Sequence, residues 1–285
     1  MKVGFVILNY NSWKMTEDLA RKMASFACVD AVVVVDNAST DDSYAQLEKI
    51  RGDKIHVFSS GKNGGYSYGN NYGARKCKEL GVELLFIANP DVDIEQTQLE
   101  KIINRFDETE YTLLSAVEYD IDDNLSDQPV WEVNTFRDDL QECFFIGRKL
   151  KAKRKQPALD TTVVVQEVDI LKGSFMGVRL DAFLEAGGFD DAFFLFCEER
   201  VLARRIKNIG GRIGIVTDAK YNHNHSASIT KTYKKVYAQM QLLYRSRALY
   251  HKKYENIGAF KGFLYKLAVG FSLMEFRAVS LLKRG

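Results

Sequence analysis

Cysteine and proline are scarce: four and three residues in a chain of 285. Cys28, Cys77, Cys143 and Cys197 lie far apart, with no C-x-x-C pair and no metal-ligand spacing. That argues against a disulfide framework or a thiolate zinc site and fits free thiols in a reducing cytoplasm. No uncharged apolar stretch of about 20 residues occurs, so a membrane-spanning helix is not expected. The N-terminus runs straight into Val3-Gly4-Phe5-Val6-Ile7-Leu8 without a signal-peptide pattern. Neither G-x-G-x-x-G nor G-x-x-x-x-G-K-[ST] is found, which removes the usual support for a dinucleotide fold or a P-loop. Internal repeats and low-complexity tracts are also missing. A net charge of only +2 argues against a nucleic-acid binder that relies on overall basicity.

What is present is an apolar content of 46%, enough for a full core in a chain of this length. Charge is unevenly spread. From Lys231 onward there are 12 Lys/Arg against two acids, Glu255 and Glu275, leaving 28 of the 40 basic and 36 of the 38 acidic residues before it. An acidic body of residues 1–230 thus precedes a basic segment of residues 231–285.

The first hundred residues alternate in the βαβ manner. Apolar runs at Val3–Leu8, Ala31–Val35, Ile55–Ser59 and Leu84–Ala88 predict strands. Between them, Met15, Leu19, Met23 and Phe26 mark one helix, with Ser12 as its expected N-cap. A second helix ends near Ile50, and a third runs from about Tyr68 to Leu80. Continuous apolar strands between amphipathic helices predict a mostly parallel sheet covered on both faces. Further on, Asp120–Asp127 reads as an acidic turn. Arg148–Lys155, with six positive charges in eight residues, reads as a loop that either links elements or meets a phosphate-bearing acceptor. Strand character returns at Val163–Ile170 and Gly214–Val216, and helices are expected at Leu180–Ala186 and through Leu202, Ile206 and Ile209.

Asn89-Pro90-Asp91-Val92-Asp93 is the most informative stretch. Pro90 ends the strand by removing a ladder donor. Two carboxylates then stand at a strand terminus, where open α/β sheets bind ligands. Such a pair either makes a solvated turn or holds a hard divalent cation that neutralises a diphosphate. Asp36, ending the second strand, can accept from a nucleobase N–H. Asn63-Gly64-Gly65 and Asn70-Asn71 offer close backbone approach and amide groups around a nucleotide.

In this order these segments resemble the family 2 glycosyltransferases of GT-A fold, particularly the rhamnosyltransferase-like bacterial branch that builds surface polysaccharides. The resemblance spans roughly Val3 to Ser228. It is carried by Val6–Asn11, Val34–Asp41, Asn63–Asn71, Asn89–Asp93, Gly187–Asp190, Phe194–Glu199 and His223–Ser228. It implies a GT-A (Rossmann-like), mostly parallel central sheet flanked by helices over residues 1–230; beyond Ser228 the family pattern fades, and helical spacing predicts a C-terminal helical extension. The resemblance also implies inverting transfer from a nucleotide-sugar, UDP-hexose or dTDP-rhamnose, to a saccharide hydroxyl.

Residue by residue, the resemblance places Asn9, Tyr10 and Asp36 around the base. Asn63, Gly65 and Asn71 follow along the nucleotide, and Gly173 walls the donor sugar. Asp91 lies at the ribose or in the metal shell. Asp93 ligates Mg²⁺ or Mn²⁺, joined by His225 or, in another register, His223. Glu199 is the expected base, with Glu198 orienting the acceptor. Two departures stand out. The family's usual second acid is Asp, whereas Glu199 is one methylene longer. Val201 stands where a further Asp is common. His56 and His251 have no such context and read as structural.

The basic C-terminal segment carries Tyr233, Val236, Tyr237, Met240, Leu243 and Tyr244 at helical spacing. It either caps the catalytic core or lies on an anionic membrane. The latter suits a lipid-linked acceptor and peripheral attachment at the inner, cytoplasmic face of the cell membrane. A sugar-nucleotide nucleotidylyltransferase is a competing reading, but Asn9–Ser12 is a poor phosphate loop. A non-catalytic nucleotide-sugar-binding protein is another.

Overall fold

The computed structural model describes residues 1–154, 157–224 and 236–282, with side chains up to residue 278. Strands β1 (Val3–Asn9), β2 (Ala31–Asp36), β3 (Ile55–Ser59) and β4 (Leu84–Ala88) form a parallel block in the order β3-β2-β1-β4. Their β-branched and aromatic residues are buried on both faces, as parallel strands require. Beyond β4 the sheet becomes mixed. β8 (Phe175–Arg179) runs antiparallel between β4 and β6 (Tyr111–Tyr119). β9 (Arg212–His223) then pairs parallel to β6 and antiparallel to the short β5 (Val92–Asp93) and β7 (Val165–Glu167). The expected mostly parallel arrangement therefore describes the N-terminal half.

Helices cover both faces. α1 (Trp13–Ser25), α2 (Ser43–Glu48) and α4 (Gln96–Glu108) bury Leu19, Met23, Leu47, Leu99, Ile102 and Phe106 against one face. There Phe5, Phe86 and Phe175 stack in a row across β1, β4 and β8, with centroids 5.2 and 5.7 Å apart. α3 (Gly65–Glu79), α7 (Leu180–Glu185) and α8 (Glu198–Asn208) cover the other face with Ala74, Cys77, Phe183, Leu202 and Ile206.

Several local expectations are revised. α3 begins at Gly65, three residues early, because Gly65 adopts φ +84° and a Cβ there would lie 2.1 Å from the Phe194 carbonyl oxygen. The basic run after Arg148 is helical as far as Ala152, inside α6 (Phe145–Ala152), which follows α5 (Phe136–Gln141). Strand structure at 163–170 shrinks to β7. β9, in contrast, extends to His223, so that histidine belongs to a strand rather than a loop. Ser12 occupies the N-cap position of α1 but sends its hydroxyl to Asn9 Oδ1, not to the helix N–H groups.

The C-terminal segment folds as α9 (Val236–Tyr254) and α10 (Ala259–Leu282). α9 packs onto the body: Tyr250 joins Phe193, Cys197 and Val201, while Tyr244 and Tyr265 pack with Cys143. Tyr233 lies outside the described residues.

One buried carboxylate joins the two parts. A capping box between Thr135 and Asp138 starts α5 and sets Asp139 inward. Asp139, fully buried, accepts from Arg200 Nη1 at 2.7 Å and Asn134 Nδ2 at 2.8 Å. Arg247 Nε (3.3 Å) and His251 Nε2 (3.0 Å), both on α9, also face it. Burial opposes its charge, but His251, Arg247 and Arg200 hold its carboxyl well below the usual range. Removing one member of such a set strands the others in a low dielectric. Asp139→Asn is expected to destabilise the protein by about 3–5 kcal/mol, read as a lower urea midpoint.

Candidate functional site

The C-terminal ends of β2, β1 and β4 carry three of the expected polar groups side by side. Asn9, fully buried at the end of β1, donates to Asp36 Oδ1 (2.8 Å), and its own Oδ1 accepts from Thr16 (2.9 Å). Asp36 also accepts from Ser39 Oγ (2.5 Å) and Ser39 N–H (3.0 Å). Three of its roughly four lone-pair directions are thereby used, and one remains on Oδ2. Tyr10, half-buried, follows directly. Asn63 accepts from Asn37 Nδ2 (3.1 Å) and Gly65 N–H (3.2 Å), so it shapes the loop ahead of α3. Asn71 is occupied elsewhere. Its amide donates to the Phe189 carbonyl and to Asp191, and its oxygen accepts from Phe189 N–H, which clamps the Gly187–Asp191 turn to α3.

Asp91 and Asp93 part company. They are two residues apart where the chain enters β5, and the turn into that short strand sends them to different surroundings. Asp91 turns inward to His223, Oδ1 to Nε2 3.3 Å, and is almost wholly buried. Asp93 is exposed and paired with Lys22 Nζ at 2.6 Å, beside Glu95. The residue that joins Asp91 is His223, together with Glu118 of β6, which also accepts from Tyr221 OH at 2.8 Å. Burial works against a charged His223, but the carboxylates of Asp91 and Glu118 raise it to about 9. Burial likewise opposes ionisation of Glu118, yet His223, Lys172 and Tyr221 keep it well below the usual carboxylate range. Among the described residues no three His, Cys, Asp or Glu side chains form a metal cage. His225 lies outside the described residues.

Gly173 and Ser174 connect this cluster to the acidic pair. Ser174 accepts from Asn89 N–H through its carbonyl (2.8 Å), and its hydroxyl meets Tyr221 OH (2.9 Å) and Glu118 (3.3 Å). The Gly173 carbonyl accepts from Tyr66 OH at 2.6 Å, and the Glu199 carboxylate lies against the Gly173 backbone. A Cβ at 173 would lie 2.7 Å from Glu199 Oε1, so a larger residue there would make the Glu199 carboxylate shift.

Glu198 and Glu199 open α8. The aromatic run before them is an irregular bend rather than a strand, and Phe196 and Cys197 are both left-handed, φ +70° and +68°. Two consecutive strained residues of this kind cluster at functional sites, at about 1–3 kcal/mol each. They divide the pair. Glu198 is buried, with Oε2 lacking a hydrogen-bond partner among the described residues. Glu199 faces a cavity of about 420 Å³, lined also by Trp131, Asn134, Asp138, Arg154, Asp169 and Arg247. Burial and the adjacent Glu199 push Glu198 far up. Burial also raises Glu199, against the hydrogen bonds from its own N–H and that of Gly173.

Trp131 and Glu118 line the candidate site from outside every sequence motif, and Tyr66, inside Asn63–Asn71, also reaches it through Gly173. Trp131, one of only two tryptophans, is the readable signal, because an aromatic face beside polar groups suits a sugar ring.

A model of glycosyl transferase family 2 matches residues 5–166. The chain belongs to glycosyl transferase family 2. It is 27% identical over 248 residues to the low-salt glycan biosynthesis hexosyltransferase Agl10 of Haloferax volcanii, covering 87% of this chain and 74% of that protein. It is 25% identical over 212 residues to the rhamnosyltransferase WbbL of Escherichia coli K12, covering 71% and 78%. Among solved structures it resembles the mannosyltransferase PcManGT of Pyrobaculum calidifontis, in complex with GDP-Man and Mn²⁺. That likeness has TM-score 0.59 and 14% identity, over 98% of this chain and 75% of that one. It also resembles GalNAc-T7 with UDP, GalNAc and Mn²⁺, at TM-score 0.57 and 12% identity, over 79% of this chain but 44% of that longer chain. The fold is GT-A, and the protein is a glycosyltransferase rather than a nucleotidylyltransferase.

A general base with a raised pKa must lose its proton before it can act. The acid limb of kcat/KM is therefore expected above the ordinary glutamate value of about 4.3. Activity should rise with pH through that limb, and a pH–rate profile at saturating metal checks it.

Proposed function

We propose that this glycosyltransferase moves a hexose or rhamnose from a UDP- or dTDP-sugar to a hydroxyl of a growing cell-surface glycan, with inversion. The observation that carries the reading is the position of Glu199. It contacts Gly173 on one side and faces a cavity lined by Trp131 and polar groups on the other. Nucleotide and diphosphate lie along the ends of β2, β1 and β4, where Asp36 keeps one acceptor direction for the imide N–H of uracil or thymine. The acceptor sugar occupies the cavity. Its hydroxyl gives its proton to Glu199 as the oxygen attacks the anomeric carbon, and the bond to the diphosphate breaks on the opposite face. Glu198 stays protonated beside it, so no second negative charge crowds the carboxylate that takes the proton.

Asp91 offers an oxygen donor that fits a divalent cation, and His223 offers a nitrogen donor once the incoming cation displaces its proton, with diphosphate oxygens and water completing the shell. Mg²⁺ or Mn²⁺ bound there would neutralise charge on the leaving diphosphate. The Mn²⁺ bound by PcManGT and GalNAc-T7 supports this. Asp93, held by Lys22, has no part in it.

The acceptor is carried on a lipid, and the enzyme works at the inner face of the cell membrane, held there by the segment after residue 230. In support, α10 exposes Phe260, Phe263, Leu267 and Met274 along one side. No described helix is long and apolar enough to cross a membrane.

Glu199→Gln is expected to lower kcat by about 10²–10⁴ while donor binding stays at the wild-type level. Unchanged transfer would contradict the role of Glu199 as base, and a loss of donor binding would make Glu199 a donor-binding residue instead. Asp91→Ala should weaken Mn²⁺-dependent nucleotide binding by about tenfold or more, whereas Asp93→Ala should leave it unchanged. Titration of both variants with nucleotide in the presence of Mn²⁺ separates them.

A further inference from the structure

The cavity beside Glu199 is walled from both parts of the chain. α5 and the loop ahead of it supply Asp138, Trp131 and Asn134, while α9 of the C-terminal extension supplies Leu243 and Arg247. Its volume of about 420 Å³ is that of a small-molecule site. Leu243, Arg247 and His251 stand four residues apart and so share one stripe of α9. The stripe divides by use. Arg247 and His251 face the buried Asp139, which holds the helix in place. Leu243 does not help to seat it. Met240, Tyr244 and Ala248 pack around Cys143, and Leu249 and Tyr250 around Phe193. Half-buried Leu243 belongs to neither group and lines the cavity instead.

Arg247 also keeps part of its donor set. Its Nε lies 3.3 Å from Asp139 and its Nη2 2.6 Å from Glu142, so Nη1 is the nitrogen outside both pairs. A guanidinium fixed in this way loses little further freedom when its remaining N–H groups bond sugar hydroxyls.

Charge sets the class of sugar. Apart from Glu199, each charged group of the wall has a counterion. Arg154 lies 3.6 Å from both Glu132 and Asp138. Lys151 pairs with Glu142, Asp169 with Lys207, and Arg200 with Asp139. Among the described residues no cation of the wall is left over for a phosphate or a carboxylate, so the wall matches a neutral saccharide.

We propose that α9 carries part of the acceptor subsite: Leu243 gauges the size of a neutral acceptor sugar, and Arg247 donates to its hydroxyls. The C-terminal extension thereby selects the acceptor as well as capping the body. This rests on the reading above that the acceptor sugar occupies the cavity, to which it adds residues and a sugar class.

Titration of the full chain with methyl glycosides of neutral hexoses and deoxyhexoses, with UDP or dTDP and Mn²⁺ present, tests it. Tryptophan fluorescence is the readout: Trp131 lines the cavity, whereas Trp13 packs with the core on the α1 side of the sheet. Glucuronic acid and glucose 6-phosphate serve as anionic probes. Wild type should bind at least one neutral glycoside and neither anion. Leu243→Phe should weaken the best glycoside by at least about tenfold, because the larger side chain fills its space. Leu243→Ala should instead shift the preference toward a bulkier glycoside. Arg247→Lys, which keeps a cation beside Asp139, should weaken all of them by about tenfold. In both Leu243 variants the thermal midpoint, and nucleotide binding by calorimetry, should stay at the wild-type level. An equal loss for every glycoside in the Leu243 variants, with a lowered midpoint, would make Leu243 a docking residue and overturn the proposal. Wild-type affinity and preference in both variants would overturn it too, while leaving the acceptor reading of the cavity standing. Wild type that binds no glycoside overturns both. Tighter binding of an anionic probe than of any neutral glycoside overturns the proposal as well.

Discussion

The close approach of Glu199 to the Gly173 backbone is the contact around which the site is arranged. β8 enters the sheet antiparallel beside β4, which brings Gly173 and Ser174 to the same edge as Asn89 and Asp91. Ser174 is tied to the Glu118–Tyr221 pair and, through its carbonyl, to Asn89. Gly173 takes a hydrogen bond from Tyr66 and lets Glu199 come against its backbone. One dipeptide thus fixes the distance between the cluster suited to a diphosphate and the carboxylate suited to a base. A Cβ at 173 would meet the flexible end of Glu199 and re-aim that carboxylate, and misplacement of a reacting group is costly in catalysis.

A second constraint is buried charge. Asp139 gathers Arg200, which follows Glu199 on α8, and Arg247 and His251 from the C-terminal extension. Asp190 adds another tie, accepting from Lys253 at 2.5 Å and Tyr254 OH at 2.7 Å. The extension is therefore anchored beside α8 and beside the Gly187–Asp191 turn. Its basic excess is divided: some cations are used inside for this anchoring, while others remain outside on α10.

How much was legible in the sequence depended on the range of the interaction. The parallel block was readable because runs such as Val32–Val35 and Leu84–Ala88 are apolar throughout and bounded by polar turns. Asn9, Asp36 and Asp91 were readable because they end or follow such strands. The mixed half of the sheet was not, since β8 joins β4 and β6 by pairing over long sequence separations with no periodic signature. The division between Asp91 and Asp93 was hidden too: two carboxylates with one residue between them look equivalent until pairing with β9 decides which faces inward. Likewise, the six positive charges of Arg148–Lys155 suggest a solvated loop. In the fold, Arg148 belongs to a helix and reaches Ser272 and Glu275, partners far along the chain.

The proposed transfer requires a nucleotide-sugar lying along the ends of β2, β1 and β4. Isothermal titration calorimetry with a panel of UDP-, dTDP- and GDP-sugars, each with and without Mn²⁺, tests that most directly. Saturable binding of a UDP- or dTDP-sugar, strengthened by the metal, is the predicted result. Failure of every nucleotide to bind under either condition would contradict it.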